Sequence, residues 1–297
     1  MKSNHFTELL DKDNSIDFLA HKLKEGELVL FLGSGTSMGF GLPNWLTLVN
    51  LLREEVNLPP LDKNSTADMM QTAVDEVEEV LEQTELIRLI QKYLYMNFDS
   101  LSLDKVLNNH LLVAVSALLM GSKRGHVTRV VTLNYDNMLE WFLSLFGFVV
   151  KTVYKLPQLE GSEDVRIYHP HGFIPNPLSS ESSSDFVILS MDSVDSRLGD
   201  ENNAWFEMTR HMLSTGICLF IGMSANTLSD RALSPLLVNV GKKTWTERPL
   251  GIWIIKDPII DSKKQEFLRK NIIPQCIENE EQIVDYILKI SQRASQV

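Results

Sequence analysis

Asn134 and Asp136 stand two apart in Thr132-Leu-Asn-Tyr-Asp136, and His169 and His171 stand two apart in His169-Pro-His-Gly172. In an extended segment, residues i and i+2 share a face, so the Asn134 carboxamide and the Asp136 carboxylate are aimed at one point. A carboxamide there can hold a water or a hydroxyl, and a carboxylate can offset developing positive charge. A histidine beside glycine in a loop is a candidate general base, because its ordinary pKa lies near working pH. Plain structural roles exist for each residue. Asp136 can cap the helix that follows it, and two of the seven histidines within three residues can simply brace a loop. The pair could also ligate a metal, but no third ligand lies nearby in sequence.

A second group of segments has the composition of phosphate-binding turns. Gly33-Ser34-Gly35-Thr36-Ser37 follows an apolar run, and glycines there let backbone N–H groups approach an anion. The spacing is not GxGxxG, since the next glycine is Gly39, and GxxxxGK[ST] is absent, which excludes an NTP-hydrolysing P-loop. An ordinary tight turn explains GSGTS equally well. In Leu42-Pro43-Asn44-Trp45, the proline suits the first turn of a helix; Trp45 is a core residue by default and a ligand-facing one if the preceding turn binds a ligand. Gly222-Met-Ser224, with Asp230 six residues on, repeats the glycine–polar pattern. Two such turns on one sheet suit a dinucleotide.

The elements that must position these residues follow from periodicity. Short apolar runs at Glu27–Leu32, Arg129–Leu133, Phe148–Tyr154, Phe186–Leu189, Ile217–Ile221 and Gly251–Ile255 read as strands, and His169 leaves another. Helical spacing covers Asn137–Leu145, Ala204–Ser214, Ser229–Val240, Lys263–Asn271 and Gln282–Ala294. The alternation predicts an α/β fold, a Rossmann-like, mostly parallel sheet with helices on both faces. From about Leu61 to Lys123 the spacing is helical throughout, which predicts a helical subdomain inserted into a single domain spanning 1–297. Val74, Val77, Val80 and Leu81 line the apolar face of its first helix, and the acidic run Asp75–Glu85 is its solvated side.

Composition removes several function classes. Thirty-nine acidic residues against 28 basic ones give a formal charge of -11, so broad binding to a nucleic-acid backbone is not expected. The two cysteines, Cys218 and Cys276, sit in apolar runs, read as buried free thiols, and make neither a disulfide framework nor a zinc site. The longest apolar stretch, Leu111–Met120, is well short of a membrane span, and the polar N-terminus lacks the features of a signal peptide, so a cytoplasmic protein is expected.

Taken in order, GSGTS, GLPNW, TLNYDNMLE, HPHG and GMSANTLSD resemble the Sir2-like (sirtuin superfamily) NAD-binding domain. The resemblance implies that Gly33, Ser34, Gly35 and Thr36 surround the NAD phosphates, with Trp45 nearby. It makes Asn134 the catalytic asparagine, Asp136 the aspartate near the nicotinamide, and His171 the catalytic histidine, with His169 supporting the loop. Gly222 and Ser224 fall on the adenosine side, and Asp230, a further cofactor-binding candidate, is typical of the bacterial branch. The chain departs from protein deacylases of the superfamily in lacking their zinc-binding cysteines and the arginine expected after Trp45, and in carrying Leu133 where they have glutamine.

Those departures are similar to the antiphage defence branch, which hydrolyses NAD to nicotinamide and ADP-ribose, and most of all to the Sir2 partner of HerA-type ATPase systems. What the resemblance implies is an NAD glycohydrolase using NAD as substrate without zinc, possessing a HerA-like ATPase partner. Homo-oligomerisation through the 61–123 helices or the last helix is a further expectation, because their apolar stripes need cover. A non-catalytic NAD or ADP-ribose sensor and an NAD-dependent deacylase are the alternatives.

Overall fold

The computed structural model describes residues 6–98, 102–121, 125–159, 161–184, 187–229, 233–243, 248–256 and 258–296. Seven parallel strands form one sheet: β1 (Leu28–Leu32), β2 (Arg129–Thr132), β3 (Val150–Val153), β4 (Val165–Tyr168), β5 (Ile217–Ile221), β6 (Gly251–Ile255) and β7 (Ile272–Cys276). Their spatial order is β3-β4-β2-β1-β5-β6-β7. The chain fills one half of the sheet before crossing to the other, so the order reverses between β1 and β5. In such open sheets the crevice beyond the strand ends at that point is where ligands bind.

Side-chain alternation along the strands divides the core. Leu28, Leu30 and Leu32 of β1 belong to one apolar cluster, and Val29 and Phe31 belong to the other. On the first face lie α1 (Lys12–Lys24), α2 (Trp45–Glu55), α3 (Ala67–Glu78), α4 (Gln83–Leu94), α5 (Leu103–Leu107), α6 (His110–Leu119) and α7 (Met138–Leu145), joined by the C-terminal helix. After the single turn α8 (Met191–Val194) and a π-helical turn at Asp195–Gly199, the second face is covered by α9 (Ala204–Thr215), α10 (Ser234–Lys243) and α11 (Asp261–Arg269). There Phe220 stacks on Trp253 with ring centroids 4.5 Å apart. Helix α12 (Glu280–Ala294) returns to the first face, where Tyr286 bonds Ser15 of α1 at 2.7 Å.

The α/β architecture with a parallel sheet and helices on both faces is as expected, but several details differ. Phe186 lies outside the described residues, and 187–189 form a buried irregular segment: Ile188 N–H donates to the His171 carbonyl at 2.7 Å instead of joining a ladder. Strand β7 escaped notice because Pro274 and Gln275 interrupt its apolar run; proline is tolerated there because β7 is an edge strand. Helix α3 ends at Glu78, so Val80 is exposed and does not continue the Val74–Val77 face. Cys218 is buried as expected, whereas Cys276, at the end of the edge strand, is exposed. Asn44, not Pro43, starts α2, its side chain accepting from Thr47 N–H at 2.9 Å.

The helices between β1 and β2 bury their own apolar faces. Val74, Val77, Leu86, Leu89 and Ile90 share one cluster with Leu30 and Val130, and Ile283, Ile287 and Ile290 of α12 lie in it too. These stripes are covered within the chain, so they do not call for a second copy.

Candidate active site

Two glycine turns meet at the reversal point. Gly33 N–H donates to Ile221 O at 3.0 Å and Gly35 N–H to Gly222 O at 2.9 Å, tying the turn after β1 to the turn after β5. A Cβ at Gly35 would lie 2.8 Å from Gly222 Cα, and one at Gly222 (φ +74°) would lie 2.8 Å from Thr36 N. Only glycines allow this approach. The same bonds limit the turn as a phosphate cradle, since Thr36 N–H is spent on Gly33 O and Ser37 N–H on Ser34 O. Thr36 is buried, its hydroxyl also donating to Gly33 O at 2.8 Å.

A cavity of about 930 Å³ opens at this point, near the upper end of the range for small-molecule sites. It is lined by Gly33, Ser34, Gly35, Trp45, Asn134, Asp136, His171, Gly222 and Ser224, while Thr36 stands behind it. Asp230 lies outside the described residues. Trp45 is partly buried and its ring lies 6.5 Å from that of Tyr135, so it walls the cavity without being sealed in the core.

The chemistry-bearing side chains form one network. Ser37 Oγ donates to Asp136 Oδ1 at 2.8 Å, and Asn134 Nδ2 donates to Ser37 Oγ and to Gly33 O, both at 3.2 Å. Asp136 Oδ1 also accepts from Met138 N–H at 3.1 Å, so it caps α7 and faces the cavity at once. Burial raises the Asp136 carboxyl to about 6, against the opposing effect of the Met138 and Ser37 bonds.

The two histidines diverge. His171 lines the cavity, and its buried Nε2 has no hydrogen-bond partner among the described residues. Burial, with the Arg197 guanidinium and His169 adding to it, pushes the His171 imidazole down to about 4, although its backbone hydrogen bond to Leu133 works the other way. His171 is therefore neutral at neutral pH. His169 is fully buried, with Nε2 2.6 Å from Glu140 Oε1 and Nδ1 3.1 Å from Asn134 O. Burial lowers its pKa, but the Glu140 carboxylate and the Asn134 carbonyl more than offset that, and the net shift is upward.

Sequence reasoning left three kinds of site residue unassigned. Ser37 stands inside the glycine segment, but nothing in its type marks it as the bridge between two motifs. Glu140 had a readable signal: it is the lone acid in Met138–Leu145, an otherwise largely apolar helix, and a charge in such a stripe needs a buried partner. Lys256 and Lys263 also line the cavity, on the β6 side, with Lys263 paired to Glu266 at 2.9 Å. Among the described residues no group of three or more His, Cys, Asp or Glu is placed to hold a metal ion, and no helix is long and apolar enough to cross a membrane.

No curated protein matches the chain. Residues 128–274 match the family model of the SIR2-like domain. The match runs from the start of β2 into β7 and takes in Asn134, Asp136, His171, Gly222 and Ser224; the turn after β1 joins them through the bonds above. Residues 128–274 are thus similar to the SIR2-like domain, and the similarity supports an NAD-using enzymatic function in general terms.

Proposed function

We propose that the chain hydrolyses the bond between nicotinamide and ribose in NAD, releasing nicotinamide and ADP-ribose. The observation that carries this reading is the unpartnered, buried His171 Nε2 facing the same cavity as the Ser37-linked pair Asn134 and Asp136. Nicotinamide is a neutral leaving group in this bond, so the site needs to hold the ribose, stabilise an oxocarbenium-like transition state and admit a water. Asp136, buried and ionised at neutral pH, supplies negative charge near the bond that breaks. Asn134, its amide nitrogen already bound to the turn, offers its carbonyl oxygen to the water or to a ribose hydroxyl. His171 in its neutral form presents Nε2 as an acceptor for a ribose hydroxyl; with a pKa of about 4 it orients that group more than it removes its proton.

The turns at Gly33–Thr36 and Gly222–Ser224 would hold the phosphates and adenosine side, with Lys256 and Lys263 supplying the positive charge that the occupied backbone donors do not. In this reading the whole chain, 1–297, acts as one NAD-binding unit with the 61–123 helices as an insertion. By the resemblance in its sequence, it serves as a cytoplasmic antiphage effector that depletes NAD alongside a HerA-like ATPase. Incubating the purified protein with NAD, alone and with such a partner, and chromatographing the products tests it. Nicotinamide and ADP-ribose in equal amounts are expected. Binding without release would replace the enzyme with a sensor, and release only in the presence of an acylated peptide would replace the hydrolase with a deacylase.

A further inference from the structure

The buried pair of Glu140 on α7 and His169 just past β4 is not used by the chemistry above, and its hydrogen bonds determine more than its placement. Glu140 Oε1 lies 2.6 Å from His169 Nε2, and the backbone carbonyl of Asn134 lies 3.1 Å from His169 Nδ1. A carbonyl oxygen only accepts, and so does a carboxylate. With Glu140 ionised, both ring nitrogens carry hydrogen, which makes His169 an imidazolium sealed at 0% exposure beside a carboxylate that is itself buried. Phe173 closes over it edge-on, with centroids 5.0 Å apart, and His169 N–H is spent on Val153 O at 2.8 Å.

The other end of this arrangement is Asn134. Its N–H donates to Thr132 Oγ1 at 3.2 Å, its carbonyl accepts from His169, and its Nδ2 donates to Gly33 O and Ser37 Oγ. Every polar atom of the residue but Oδ1 is thereby engaged among the described residues, and the residue lines the cavity. We infer that Glu140 and the His169 imidazolium form a positioning device that locks Asn134 at the strand end with Oδ1 available to a ligand. The inference rests on the proposed NAD hydrolysis for its catalytic meaning, but the charge state and the locking are properties of the chain itself. The titratable groups that face the pair among the described residues are Asp136, which follows β2 beside Asn134, His171 two residues along the loop, Tyr95 and Glu181.

Ring nitrogen shifts of the full chain labelled with ¹⁵N-histidine read the first half directly. One histidine is expected to keep both nitrogens protonated through neutral pH, and to lose that signature in Glu140→Gln. A neutral imidazole in the wild type, with the proton on Glu140 instead, overturns the ion pair. The second half is read from the Asn134 side-chain amide cross-peak, which is expected to move in Glu140→Gln and in His169→Gln; an unchanged cross-peak in both overturns the locking. His169→Gln can keep a donor toward Glu140 in the place of Nε2, without the charge and without the bond to the Asn134 carbonyl, so it should fold where His169→Ala fails. In the nicotinamide-release assay both Gln variants should lose kcat by about 10²-fold, the cost of a small misplacement of a reacting group, with KM nearly unchanged. A wild type that releases no nicotinamide but retains both resonance signatures refutes the hydrolase reading and leaves the positioning device standing.

Discussion

The Ser37 hydroxyl lies 2.8 Å from the Asp136 carboxylate, joining turns that 99 residues separate in sequence. The bond places a donor on a carboxylate whose pKa burial raises, and the Ser37 oxygen accepts from Asn134 Nδ2 at 3.2 Å. Ser37→Ala removes both contacts without adding bulk. Nicotinamide release should fall by about 10²-fold or more, the range for a lost preorganised donor, while the protein remains folded. A variant at wild-type rate would mean that Asn134 and Asp136 hold their geometry alone.

Asn134→Ala and His171→Ala should each abolish most NAD turnover, by about 10²–10⁴-fold, yet leave nucleotide binding measurable by calorimetry. Binding persists because the phosphates are assigned to the turns that follow β1 and β5, which Asn134 touches only through Gly33 O and Thr36 Oγ1 and which His171 does not bond. His169→Ala is not a silent control for the second variant. It leaves Glu140 buried and uncompensated, which costs about 3–5 kcal/mol, so its activity must be counted per folded molecule. Wild-type turnover by His171→Ala would remove the histidine from the chemistry.

The sheet was legible because its central strands are buried on both faces and read as unbroken apolar runs, such as Leu28–Leu32 and Ile217–Ile221. Where a strand is at an edge and carries Pro274, or where the apolar residues 187–189 are irregular and tied to a loop, pattern alone misleads. The site was legible as segments, since Asn134, Asp136, His171, Gly33 and Gly222 all stand just past strand ends. What joins them was not. The Ser37–Asp136 and His169–Glu140 bonds depend on which strands are neighbours, and nothing local to either segment encodes that.

The contact between the two glycine turns predicts a binding defect. In Gly35→Ala the new methyl would meet the Gly222 backbone at 2.8 Å, where no flexible side chain can give way. The turns must separate, at an overpacking cost of about 1–3 kcal/mol. Thermal melts should show lower stability, and NAD affinity should weaken more than kcat falls. If affinity is unchanged, the turns do not hold the dinucleotide.

The two perturbed groups in the cavity titrate apart, at about 6 for Asp136 and about 4 for His171. If ionised Asp136 offsets the positive charge of the transition state, kcat should rise with pH through about 6 and level off at neutral pH. His171 contributes only a further loss near 4, where it becomes protonated and its Nε2 can no longer accept. Initial rates across this range in Ser37→Ala should show the acid limb moved upward, because one of the bonds that favours the ionised carboxylate is gone. A limb centred near 4 alone would assign the pH dependence to His171 and leave the Asp136 charge without a role.

Asp136→Asn separates charge from shape and should move stability and activity in opposite directions. The amide can keep its carbonyl oxygen on Ser37 Oγ and Met138 N–H, the two donors now 2.8 and 3.1 Å from Oδ1. What it removes is a buried ionisation. Because the folded carboxyl has its pKa raised from 3.8 to about 6, the native state holds a proton that the unfolded chain releases between those values. Stability falls as pH rises through that window, and the deficit persists at neutral pH. At 1.36 kcal/mol per unit the substitution recovers ~3 kcal/mol at most, and a higher melting temperature at pH 7 should result, with the difference vanishing below about pH 4. Nicotinamide release should drop by at least about 10²-fold in the same protein. A variant that is less stable at pH 7 would show that the ionised carboxylate is well solvated or paired, and one that keeps its activity would show that the charge at Asp136 is not what the reaction uses.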